Sequence, residues 1–409
     1  MNDRFLKLLC LLFFHTTFVY LDDGSGIGRV IQAICLGILM LLLFAKHKLK
    51  LYPQYKKINK YVVFYCVGLL LVSLYSKSWD IKALNQLNFG AVKDSLKTSS
   101  YTLGIMISMS IFTAFALVEY LSTINKTHIL FEVFFKTLLF YIFISDIQFL
   151  IRGAANDDDY LIGNKFQLSY MHILCYVIYE RISREKIKSK KIQRWLLILL
   201  SFVISIMTGC TTAILGMFAI FLLFSYENGI GKIVYKANSY FVVLSLGVLF
   251  MFFYNYVLDI PMIQKIIINC LHEDLTLTGR TTIFETLSIF MFASPMFGFG
   301  VGNAHWVLFY LFGYANAQNG VINLYLEEGL VGTILYFFVF IIIFKYAKQS
   351  KIKKVSFPIL TYILVFFFLG LVEITIDNKL LIIMSFLLAH DSIKLPYAKS
   401  KYNSTDIQR

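Results

Sequence analysis

Residues 315–332, ANAQNGVINLYLEEGLVG, open a long apolar run yet hold three Asn, a Gln and two adjacent Glu. Charges near a bilayer centre are costly, and those found there usually face an interior cavity and act in it. If the stretch is helical, Asn316, Asn319, Asn323 and Glu327 recur at spacings of three, four and four and share one face. Glu327 and Glu328 point about 100° apart, so at most one of them faces that stripe. Val321, Ile322, Leu324 and Leu326 lie elsewhere on the helix. A stripe of amides leading to a carboxylate suits the wall of a hydrated cleft. The plainer reading is an aqueous helix end whose amides bond to neighbouring helices.

Other residues have chemical potential. Arg280 follows Gly279 and precedes Thr281 and Thr282 at an expected helix start. A guanidinium beside a helix N-terminus can hold an anion, or it can snorkel to lipid headgroups. His272 and His305 have no second His or Cys at ligand spacing, so they are read as rim residues or general bases, and no metal is expected. Asp157–Asp159 is read as a solvated loop, with a divalent-cation site as the alternative. Asp22–Asp23, just outside the first helix, resembles the acidic pair that GT-C-type membrane glycosyltransferases carry in their first outer loop.

The elements that must position these groups follow from composition. The 409 residues are 58% hydrophobic and 15% charged, with mean hydropathy +0.70. A soluble domain carries about 25% charged residues, so the balance points into a bilayer. The net charge of +14 is concentrated between apolar runs, as in KHKLKLYPQYKKINK, where it orients membrane helices rather than binding nucleic acid. The cysteines show no C-x-x-C pair or zinc spacing.

Apolar runs predict twelve spans over 5–21, 27–45, 61–77, 100–122, 129–151, 166–182, 195–209, 211–226, 239–257, 325–344, 357–376 and 379–394. The expected fold is therefore all-α: a polytopic integral membrane protein with about 12 transmembrane helices in a single membrane domain over 1–409. Placing both termini in the cytoplasm puts every basic gap on that side. Few cations then face outward, Arg152, Lys165 and Arg280 among them. Residues 78–98 are expected to form an interfacial amphipathic helix. A long structured outer loop, 258–319, should join the ninth and tenth spans. It contains two apolar segments too short to span and, between them, the turn PMFGFGVGN.

The order Gly279-Arg280, then Ser294-Pro295-Met296-Phe297-Gly298-Phe299-Gly300, then Gln318-Asn319 through Glu327, Gly329 and Gly332 resembles the O-antigen polymerase/ligase (Wzy-type) membrane protein superfamily. The close match covers about 54 residues, and the late outer loop agrees with the family layout. Two positions depart from it: the family's His falls on Gln318, and its Ser-Arg pair falls near Cys210 and Thr211, with no Arg following. The resemblance implies a cofactor- and metal-independent glycosyltransferase of the bacterial plasma membrane, with an undecaprenyl-diphosphate-linked glycan as donor and another as acceptor. It further implies Arg280 on the diphosphate, helped by Arg152 or Lys165. Gln318, Asn319 and Asn323 would line the acceptor site, with Glu327 or His305 as base. A chain-length regulator and a flippase are the implied protein partners. An O-antigen ligase shares this fold, and a lipid-linked oligosaccharide flippase is the reading from another class.

Overall fold

The computed structural model describes residues 2–19, 27–47, 55–77, 100–153, 160–186, 191–269, 283, 291–304, 307–308, 317–349 and 353–390. Among them every regular element is helical. The α-helices are α1 (Asp3–Phe18), α2 (Ile27–His47), α3 (Lys56–Lys77), α4 (Ser100–Thr123), α5 (Thr127–Arg152), α6 (Lys165–Lys186), α7 (Lys191–Met207), α8 (Thr211–Ser225), α9 (Ala237–Leu258), α10 (Pro261–Asn269), α11 (Gly320–Ala347), α12 (Lys353–Leu369) and α13 (Asn378–Ser385). Short 3-10 turns cover Ile230–Tyr235 and Phe386–Leu388.

Local chemistry sets several of these boundaries. The Asn2 side chain accepts from Arg4 N at 3.0 Å and starts α1. Asn164 accepts from Gln167 N at 3.0 Å and starts α6. Asp377 accepts from Leu380 N at 2.8 Å and starts α13. Each satisfies one of the backbone donors that a helix start leaves open.

A helix occupies each of the twelve places that the apolar runs mark, yet the described residues show far fewer than twelve spans. Four stretches are long and apolar enough to cross a membrane: Lys56–Ser76, Tyr101–Thr123, Thr127–Arg152 and Gly320–Ala347. Three of the expected spans fall short for identifiable reasons. α8 has 15 residues and α13 only 8, about 22 and 12 Å at 1.5 Å per residue. The expected span 357–376 stops at Leu369, because the chain from Gly370 onward gives its carbonyls to other elements. Gly370 O accepts from Gly320 N at 2.8 Å, and Leu371 O from the Asn319 amide at 3.1 Å. The expected helix at 78–98 lies outside the described residues, as do most of the two apolar segments of the outer loop.

The outward faces carry the pattern that lipid contact demands. On α5, Phe140, Phe143, Ile147, Leu150 and Ile151 are exposed at helical spacing; Ile151 reaches 79%. On α7, Ile192, Trp195, Leu199, Val203 and Ile206 form a second such stripe. Apolar stripes this long would be a liability in water and are the ordinary surface of a membrane helix.

Inside, α3 packs on α4 and α11, while α6 packs on α5, α7, α8 and α12. At one end of the bundle, residues that border the predicted cytoplasmic gaps meet one another. Lys126 pairs with Asp3 at 3.2 Å, the Ser122 hydroxyl donates to His390 O at 2.6 Å, and Arg181, 1% exposed, donates to Ala389 O at 2.7 Å. Arg184 makes a two-pronged contact with Glu227, at 3.0 and 2.7 Å, and donates to Lys354 O at 3.2 Å. Pro358, inside α12, has no N–H for the Lys354 carbonyl. The Arg184 guanidinium supplies that missing donor. Replacing Arg184 with Ala should therefore lower stability by roughly 2 kcal/mol, with Arg184→Lys restoring only part, since an ammonium lacks the planar fork. Thermal unfolding of the detergent-solubilised protein checks the order wild type, Lys, Ala.

Candidate functional site

α11 is two helices joined at Gly329. There the backbone takes φ 62° and ψ −169°, a conformation that L side chains rarely adopt. An unbroken helix would pair Leu330 N with Leu326 O and Val331 N with Glu327 O. The 294–300 turn makes those bonds instead. Phe299 N donates to Leu326 O at 2.7 Å and Gly300 N to Glu327 O at 2.9 Å; Leu330 N donates to Pro295 O at 2.9 Å and Val331 N to Met296 O at 3.1 Å. Four bonds replace the two that the break removes, so the carbonyls of Leu326 and Glu327 and the amides of Leu330 and Val331 all keep partners.

The turn is built for this insertion. The Ser294 hydroxyl donates to Gly298 O at 2.7 Å, and the Asn303 amide donates to Phe299 O at 3.0 Å. Tyr325 reaches across to Met291 O at 3.1 Å. Gly298 sits so close that a Cβ there would lie 2.6 Å from Gly329 N and from Leu326 O. Pro295 at the start costs no donor, because only its carbonyl is used.

Glu327 stands at the lip of the break. It is half-buried, and its carboxylate is held by the Gly302 backbone N–H and the Asn323 side chain. The spacing of Asn323 and Glu327 thus does place them together. Asn319 is not on the helical face with them: it caps α11, its Oδ1 accepting from Val321 N and Ile322 N, both at 3.1 Å. Its Nδ2 donates to Gly247 O at 3.3 Å and to Leu371 O at 3.1 Å. The fully buried side chain ties α11 to α9 and to the segment after α12. Gln318 precedes it in the left-handed region, φ 50°, where a non-glycine residue is uncommon.

Two of the cations expected on the outer side, Arg152 and Lys165, lie on other elements. Arg152 ends α5 and is exposed; Lys165 begins α6, its Nζ 5.3 Å from the Phe166 ring centroid. α6 packs against α12, which in turn packs against α11. Arg280, His305, His272 and Asn316 lie outside the described residues. Among the described residues, no group of three or more His, Cys, Asp or Glu side chains is arranged to hold a metal ion.

Several polar residues of the interior were not read from the sequence as site residues. Glu328, 0% exposed, accepts from the Tyr65 hydroxyl at 2.8 and 3.0 Å, and Asn378 bonds to the same carboxylate. Asp377 lies within electrostatic reach of Glu327, and its carbonyl accepts from the Tyr336 hydroxyl at 3.1 Å. The available signal was the polar trio Asp377-Asn378-Lys379 between apolar runs. Farther off, the buried His172 Nε2 lies 3.0 Å from Asp146 Oδ1, joining α6 to α5.

The described residues thus define an all-α protein with several candidate membrane-spanning helices, one of them discontinuous and completed by a turn from the loop before it. Compared with protein-family models and with curated proteins, the chain matches none.

The stitched break makes a direct prediction. Gly298→Ala should cost about 2 kcal/mol or more, combining left-handed strain with overpacking. Gly153→Ala has φ 79° but open space around its Cβ, so it should cost only about 1 kcal/mol. Thermal unfolding of the two variants in one detergent separates close approach from strain.

Proposed function

We propose that this chain is a polysaccharide polymerase of the bacterial plasma membrane, with both termini cytoplasmic and its active site at the outer face. In that reading its helices make twelve crossings, the shorter ones lengthened by their flanking turns. It joins undecaprenyl-diphosphate-linked oligosaccharide units, with lipid-linked glycans as both donor and acceptor and with no metal or cofactor.

The observation that carries this reading is the four-bond stitch between residues 294–300 and the Gly329 break. The two pieces of sequence that resemble the O-antigen polymerase/ligase superfamily are distant along the chain and adjacent in space. Their meeting leaves one carboxylate, Glu327, fixed at a half-buried edge. In the proposed reaction an acceptor-sugar hydroxyl oxygen attacks the donor's anomeric carbon, and the bond from that carbon to the diphosphate oxygen breaks. The hydroxyl proton passes to Glu327, and the leaving diphosphate carries the electron pair. His305 stands as an alternative base. Arg280 is assigned to the departing diphosphate, whose growing charge a fixed guanidinium stabilises; Arg152 and Lys165 would attract the lipid headgroup. Gln318 replaces the family's His and can orient a hydroxyl but not take its proton.

A second reading is favoured by the same break. Discontinuous helices and buried ionisable side chains also mark transporters, and a lipid-linked oligosaccharide flippase would use them to move its cargo. The two differ in what a deletion strain accumulates. A missing polymerase leaves single repeat units exposed outside, whereas a missing flippase strands them inside. The expected result is outside accumulation with loss of the long-chain ladder. Restoring Glu327→Gln or Arg280→Ala should leave the ladder absent while the protein level is normal. An unchanged ladder in either variant removes that residue from the mechanism.

A further inference from the structure

Glu328 is the residue the proposed site leaves unused, although it is fully buried beside Glu327. Its side chain leaves the first half of α11 and crosses the Gly329 break. A Cβ on Gly332, in the second half, would stand 2.8 Å from Glu328 Oε2. The absent side chain at 332 is what gives the carboxylate its space. From there Glu328 accepts from Tyr65 of α3, at 2.8 and 3.0 Å, and bonds to Asn378 at the start of α13. The Tyr65 hydroxyl also lies 2.8 Å from Asn378 Oδ1, and the Tyr65 and Tyr336 rings meet edge to face with centroids 5.9 Å apart. The carboxylate on the first half is thereby joined directly to α13 and, through Tyr65 of α3, to Tyr336 on the second half.

We propose that Glu328 is a positioning residue. Held by Tyr65 and Asn378, it fixes the angle between the two halves of α11, which keeps the 294–300 turn seated and Glu327 aimed at the acceptor. The inference rests on the polymerase reading for its consequence in turnover, but its structural half stands independently. A buried carboxylate whose only task was packing would be replaceable by any side chain of similar volume. A clamp needs its hydrogen-bond acceptors, so glutamine can serve and methionine cannot.

The test uses the full-length protein in lipid nanodiscs, as wild type, Glu328→Gln, Glu328→Met and Tyr65→Phe, the last removing a single oxygen. Two quantities are read: hydrogen exchange over residues 330–331, whose amides donate to the turn, and polymerisation of an undecaprenyl-diphosphate-linked oligosaccharide. Losing the Tyr65 bond to a buried carboxylate should speed exchange by about tenfold. The displaced Glu327 should lower kcat by about tenfold, with KM changed less than twofold. Glu328→Met should behave at least as badly, and Glu328→Gln should recover most of both quantities. Unchanged exchange in Tyr65→Phe and Glu328→Met overturns the clamp. So does a loss of turnover with exchange unchanged, since Glu328 would then act directly. Full activity in Glu328→Met reduces the residue to packing. If wild type polymerises no lipid-linked glycan while the exchange pattern appears as expected, the polymerase reading fails and the clamp stands. Should Glu328→Met not fold, Tyr65→Phe alone decides between these outcomes.

Discussion

In a bilayer, backbone N–H and C=O groups have no water to turn to, and each one left unpaired costs on the order of 2–7 kcal/mol. The break at Gly329 exposes four of them within an apolar helix. Every notable feature around it answers that demand. The 294–300 turn supplies two donors and two acceptors, and its Ser294 and Asn303 side chains hold it in shape. Gly298 lets the two backbones touch. In exchange, the interior gains an irregular stretch of chain that an unbroken helix cannot provide.

The opposite end of the bundle solves a related problem with charge. Arg181 and Arg184 lie over Phe131 and Phe357, and both reach backbone carbonyls that the helices do not satisfy themselves. Planar guanidinium groups suit this work, since they donate in several fixed directions while their faces rest on rings. The result is an asymmetric molecule. One end is tied by ionic and aromatic contacts between short gaps, and the other is held by backbone bonds between a loop and a broken helix.

This asymmetry explains what could be read from the sequence. Apolar runs located helices at twelve places because the runs are local and long. The polar stripe was half legible: Asn323 and Glu327 do meet, since helical spacing governs them. Asn319 left the stripe because the helix starts just after it, and a cap serves the backbone rather than a neighbouring side chain. Spacing also could not reveal that LEEGLVG is interrupted. A lone Gly in a helical pattern usually passes unnoticed, and the partner that makes the break affordable lies about thirty residues earlier. Glu328 illustrates the same limit, because its partners Tyr65 and Asn378 come from distant parts of the chain. Two segments singled out by their motifs, 294–300 and 318–332, do lie together in space, though the motifs did not show why. Their link is a set of backbone hydrogen bonds, which side-chain chemistry does not announce.

The stitch also bears on how such a chain enters the membrane. Its turn lies ahead of α11 in sequence, so it is already made when the two half-helices emerge. A broken helix offered to lipid without that turn would carry four bare polar groups, whereas one that meets it on arrival carries none. The break is closed only once the 294–300 turn has joined it, which makes that turn a partner in the helix's assembly.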